Sequence, residues 1–152
     1  MTGGTGLFPF SDLIDLLYKS RLVEEKHAQA QLLLEKDPIL AQRPFAKFDF
    51  TFLIALNEPE DIHAVTLGQL VRLSEGMHSV KIVMRVSKNA DKLEGKLGSI
   101  EFTREYFTKR VVSEAAKEGL SRVWICGPPK LNTDTGKVLL ENGHSRETIL
   151  FL

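Results

Sequence analysis

Residues 48–56 read FDFTFLIAL, a stretch that begins by alternating and ends as an unbroken apolar run. Such a run needs cover on both faces, as the strands of parallel sheets have. VKIVMRV at 80–86, RVWIC at 122–126 and the stretch 147–151 within ETILFL read as further strands. Helix-period segments lie between them. Phe10, Leu13, Ile14, Leu16, Leu17 and Tyr18 recur at spacings of three and four, which predicts one broad apolar helix face. AQAQLLLEKD predicts a second helical piece ended near Pro38, and VTLGQLVRL a short helix packed by Val65, Leu67, Leu70 and Leu73. FTREYFTKRVVSEAAKEG predicts a helix over 102–119, with Tyr106, Phe107, Val111, Val112 and Ala115 toward the core. TGKVLLENG predicts a last helix closed by Gly143. Alternating strands and helices predict an α/β fold: a three-layer sandwich around a mostly parallel sheet.

The chain of 152 residues, 43% hydrophobic and 26% charged, fits one globular domain over 1–152. Twenty basic residues balance twenty acidic ones, so no field of one sign favours nucleic acid or anionic lipid. Cys126 is the single cysteine, which rules out an internal disulfide and fits a reducing compartment inside the cell or at the cytosolic face of a membrane. The four histidines, at 27, 63, 78 and 144, have no ligand spacing, and no metal site is expected. His63 and His144 read as loop or cap residues, and Asp12 and Asp15 as a solvated face of the first helix.

Two turns carry the functional reading. Gly3, Gly4, Thr5 and Gly6 run straight into the first helix. Glycine backbone and the orphan N–H groups of a helix start can approach a phosphate, and Thr5 adds a hydroxyl. The plain alternative is a tight turn that needs small residues. The second turn, Cys126-Gly127-Pro128-Pro129, follows a buried strand, and ligands of open α/β sheets lie beyond the carboxyl ends of strands. Gly127 allows close approach there, while Cys126 is either a ligand contact or a small hydrophobe closing the core. Together the turns could line the two sides of one elongated ligand.

GGTGLFPFSDLI resembles the glycine turn and helix of the ferredoxin-reductase superfamily, and VWICGPP its Cys-Gly-Pro turn. ALNEPEDI is similar to the segment after the family's second strand, and GHSRETILFL resembles the C-terminus of NADH-cytochrome b5 reductases. The resemblance, which extends to ferric-reductase tails, covers nearly the whole chain in order and spacing. It implies a Rossmann-like NAD(P)H-binding domain that passes hydride to FAD, with electrons moving on to a haem or metal acceptor. The FAD-binding barrel has no counterpart here, so FAD would sit mainly on a domain or subunit outside this chain, and the isolated chain would have little activity. By the same resemblance, Gly4, Thr5 and Gly6 would line the pyrophosphate and nicotinamide side. Cys126 would lie near the reacting carbon of the nicotinamide without acting as a nucleophile, and Gly127 and Pro128 would shape the pocket. Asn57 would face the adenosine side or hold its loop, and Glu60 and Asp61 read as caps of the helix that follows. Ser87 and Lys88 would meet a 2′-phosphate, which leans toward NADPH, although a solvated loop accounts for Lys88 equally well.

Three departures from the family pattern matter. The strand that should precede the glycine turn is missing, and in this fold it is the first and central one. Exposed inner edges invite pairing, so a partner that donates a strand is one expectation. Residues 27–47 are longer than the usual link and are expected to form an added helix against the sheet. Phe151 stands near where relatives place the aromatic that covers the flavin, or else is a buried strand residue. The rival to a reductase module is a non-catalytic remnant of the fold that serves as a structural or assembly subunit.

Overall fold

The computed structural model describes residues 7, 9–42, 48–76, 79–93, 97–103, 107, 109–116 and 122–152. β1 (Phe50–Leu56) pairs in parallel with β2 (Val80–Val86), from Phe50 opposite Val80 to Leu56 opposite Val86. The side chains alternate, so Ile54, Leu56, Ile82, Met84 and Val86 share one face and one core. α1 (Ser11–Glu24) and α3 (Ala64–Gly76) cover that face. Their Ile14, Leu17, Leu70 and Leu73 are 0% exposed. Burying a side chain of this kind contributes about 1.5–3 kcal/mol, so the four together anchor this layer. β3 (Glu101–Thr103) adds to the far edge of β2, again in parallel.

The opposite face of β1 carries Leu53, which packs into a second core. That core joins Val112 and Ala116 of the stretch around α4 (Lys109–Ala115), Leu139 of α5 (Pro129–Glu141), Ile125 of β4 (Val123–Ile125) and Ile149 of β5 (Ile149–Phe151). β4 and β5 pair in parallel, Val123 opposite Ile149. α5 comes close to β5 because Gly136 has no side chain. A Cβ there would lie 2.9 Å from Cζ of Phe151. Among the described residues the strands therefore form two small parallel sheets, ordered β1-β2-β3 and β4-β5, flanked by helices. This is the expected α/β class, a Rossmann-like sandwich.

Several boundaries differ from expectation. Phe102 and Thr103 are strand, not helix: they pair with Met84 and Arg85, and the helix is described only from Lys109. The last helix begins at Pro129 rather than near Thr135, because proline fits the first helical position, where no N–H partner is needed. Val65 is 62% exposed and does not pack the core; Leu70 and Leu73 do that work. The extra segment does form a helix, α2 (Ala30–Lys36), but it buries nothing. It lies along α1 and the short 3₁₀ turn Pro38–Gln42, not against the sheet, and Leu40 in that turn is buried. Tyr106 and Gly119 lie outside the described residues.

Candidate functional site

Parallel strands leave their carboxyl ends on one side, and the turns that follow them form the natural crevice. After β1 the chain enters a tight turn, Pro59–Asp61, in 3₁₀ form. Oδ2 of Asp61 accepts the backbone N–H groups of Asn57 and Glu58, each at 3.0 Å. Asp61 thus caps this turn rather than the helix beyond it. After β2 the ladder continues: Ser87 N–H donates to Leu56 C=O at 3.1 Å and Lys88 N–H to Asn57 C=O at 2.8 Å. Ser87 Oγ also donates to Leu56 C=O, at 3.3 Å. The structure therefore brings Asn57, Ser87 and Lys88 side by side.

Two ion pairs tie the same turns together. Lys88 Nζ lies 3.9 Å from Glu58 and Lys92 Nζ 2.6 Å from Glu60. The hydrogen bond from Lys92 holds the Glu60 carboxyl below the usual carboxylate range, and Glu60 in turn raises Lys92. A depressed carboxylate contributes stability above its unfolded pKa and loses it as pH falls through the folded pKa. Both groups face water, so the effect on stability is small. Lys92→Met is expected to return the Glu60 midpoint toward that of an ordinary glutamate, read by NMR titration of the side-chain carboxyl. An unchanged midpoint would show that the pair does not form in solution.

The second turn follows β4. Cys126 is half-buried and free, and Gly127 and Pro128 lead into α5. Asn132 N–H donates to Pro128 C=O at 3.1 Å, and the N–H groups of the first turn ahead of it have no partner in the helix. A Cβ on Gly127 would lie 2.9 Å from Cδ2 of Leu131 and 3.8 Å from Oδ1 of Asn132. That oxygen is buried and accepts no hydrogen bond among the described residues. Phe151 sits opposite Ile125, and Leu152 N–H donates to Ile125 C=O at 2.9 Å, so the C-terminal strand ends beside the Cys126 turn. Phe151 is 55% exposed, with its ring at Gly136.

Gly4, Thr5 and Gly6 lie outside the described residues. A polar cavity of about 220 Å³ lies among Ser74, Glu75, Lys81, Ser99 and Glu101, at the amino ends of β2 and β3, away from these turns. The roles of Glu58 and Asn132 were not visible in the sequence. A glutamate beside a proline gives no sign of its lysine partner, and an asparagine in a first helical turn reads as ordinary. His63 Nδ1 accepts the Val65 N–H at 3.3 Å, and a ring nitrogen of His144 lies 3.2 Å from Ala116 C=O, so both are tied to local backbone. Among the described residues no group of His, Cys, Asp and Glu is placed to hold a metal ion, and no helix is long and apolar enough to cross a membrane. No protein-family model, curated protein or solved structure matches the chain.

Proposed function

We propose that this chain is the pyridine-nucleotide-binding portion of a flavin-dependent reductase. Its partner in that role is an FAD-binding domain or subunit, followed by a haem or metal electron acceptor. The observation that carries the reading is the clustering of Asn57, Ser87 and Lys88 at the carboxyl ends of β1 and β2. The Cys126 turn adds a glycine approach, a helix start and an unsatisfied buried oxygen on Asn132. These features fit a nucleotide: a donor on the ligand would satisfy the orphaned oxygen, and its phosphates would meet backbone N–H groups. When bound, NAD(P)H supplies the hydride and FAD receives it.

The protein's own residues bind and orient. Asn57 holds the adenosine side, and Gly4, Thr5 and Gly6 take the pyrophosphate. Cys126 packs beside the nicotinamide ring, with Gly127 and Pro128 shaping the wall and Phe151 bordering the turn. Lys88 is paired with Glu58, so a 2′-phosphate must compete with a carboxylate for it. The test is titration of the chain with NADPH and with NADH, followed by NMR. Shifts confined to the turns after β1, β2 and β4 are expected. Lys88→Glu should weaken NADPH by about tenfold more than NADH, since each 1.4 kcal/mol is a factor of ten. Equal weakening would leave Lys88 as a surface charge, and no shift with either nucleotide would end the reading.

One observation favours the second reading, a non-catalytic scaffold: among the described residues, β1 and β4 are each paired along one edge alone. A scaffold would show no nucleotide response and would instead recruit a strand from a partner.

A further inference from the structure

A 2′-phosphate at the turns after β1 and β2 would need two donors, the Ser87 hydroxyl and the Lys88 ammonium, and the fold commits both elsewhere. Ser87 Oγ donates to Leu56 C=O at 3.3 Å, and Lys88 Nζ lies 3.9 Å from the Glu58 carboxylate. Lys92, the other lysine of these turns, lies 2.6 Å from Glu60. Arg85, the next cation back along β2, is a buried residue rather than a surface one. Residues 57–62 and 87–93 carry four carboxylates, Glu58, Glu60, Asp61 and Asp91, against the two ammoniums of Lys88 and Lys92, a net charge of −2.

The backbone fixes where Glu58 stands. Its N–H donates to Asp61 Oδ2 at 3.0 Å, as does that of Asn57, and Asn57 C=O accepts from Lys88 N–H at 2.8 Å. Proline restricts the residue before it to extended backbone, and Glu58, ahead of Pro59, has φ −134° and ψ 157°. The carboxylate is thus carried on a tied turn beside Lys88, at the end of the in-register β1-β2 ladder. A carboxylate accepts hydrogen bonds and donates none. It suits a ribose 2′-hydroxyl, which can donate to it. A phosphate monoester carries about −1.5 to −2 charge at pH 7 and offers acceptor oxygens. Here it would meet a negative surface, a carboxylate with nothing to donate and a lysine already paired.

We infer, on the reading of these turns as a pyridine-nucleotide site, that Glu58 sets the choice of cofactor. It accepts the ribose 2′-hydroxyl and holds Lys88 back from a 2′-phosphate, so the site selects NADH over NADPH. Ser87 and Lys88 by themselves lean the other way, because the sequence displays their donors and not the acceptors that occupy them. NADPH can still bind by drawing Lys88 away from Glu58. That cost falls on NADPH alone, since NADH carries no phosphate at this position.

The test titrates the parent chain, Glu58→Gln, Glu58→Asp, Lys88→Met and the double variant of Glu58→Gln with Lys88→Met. NADH and NADPH are the probes, NMR reads the binding, and urea midpoints check the fold. The parent is expected to bind NADH more tightly than NADPH. Glu58→Gln should reduce that preference by about threefold or more, the scale of an exposed charge pair, by tightening NADPH and weakening NADH. Glu58→Asp keeps the charge and should keep the preference. Against Lys88→Met alone, the double variant should show no tightening of NADPH, since no lysine is left to release. Tighter binding of NADPH by the parent overturns the inference, as does an unchanged preference in Glu58→Gln, and both leave the nucleotide site in place. Tightening of NADPH that persists without Lys88 overturns the hold of Glu58 on that lysine. No shift with either nucleotide ends the reading of the site, and the inference with it. The parent's own preference decides if a variant fails to fold.

Discussion

Leu70→Ala is expected to lower the unfolding free energy by about 2–5 kcal/mol. Leu70 is fully buried in the core that joins α1, α3 and the β1-β2 face, and truncation leaves a cavity that rigid neighbours cannot close. A domain of this size has about 5–15 kcal/mol in total, so one substitution removes a large share. Val65→Ala, one helical turn and a fraction away, should change stability by no more than about 0.5 kcal/mol, because Val65 faces water. Urea unfolding followed by circular dichroism measures both. A Leu70→Ala midpoint equal to the parent's would mean that α3 does not pack as described.

Gly127→Val is expected to weaken NAD(P)H at least tenfold while leaving the fold intact, a loss of about 1.4 kcal/mol or more in binding. The added carbons point toward Cδ2 of Leu131, the far end of a flexible side chain that can move aside at little cost. They also occupy the approach to the Cys126 turn and the buried Asn132 oxygen. Nucleotide titration reads the first effect and the urea midpoint the second. Unchanged affinity with an unchanged midpoint would remove this turn from the binding site. A lowered midpoint with unchanged affinity would make Gly127 a packing residue.

The strands with the most apolar sequence were the most legible. Residues 80–86 fall on β2 without a shift, and 48–56 contain β1, because runs of that kind have no other way to hide from water. The misreading of Phe102 and Thr103 has a physical cause. Their aromatic and branched character suits helix and strand alike, and the choice was made by the free edge of β2, which no local pattern reveals. α2 was legible as a helix but not in its place. Its Leu32 is 52% exposed, so its apolar residues do not announce a burial site. At the candidate site, Asn57 and Ser87-Lys88 could be picked out as residues following strands. Their juxtaposition depends on the in-register pairing of β1 with β2, and the hold of Glu58 on Lys88 depends on that juxtaposition.

The two cores draw on separate lengths of chain. The buried residues of the first run from Ile14 to Ile100 and those of the second from Val112 to Ile149, with Leu53 reaching across from β1. Each draws largely on its own length of sequence, so separate opening of the two cores is an expected outcome, read by amide hydrogen exchange. Trp124 is the single tryptophan and belongs to the smaller one. Its fluorescence therefore reports on the smaller core, and a fluorescence midpoint that departs from the circular-dichroism midpoint would show the two cores opening apart.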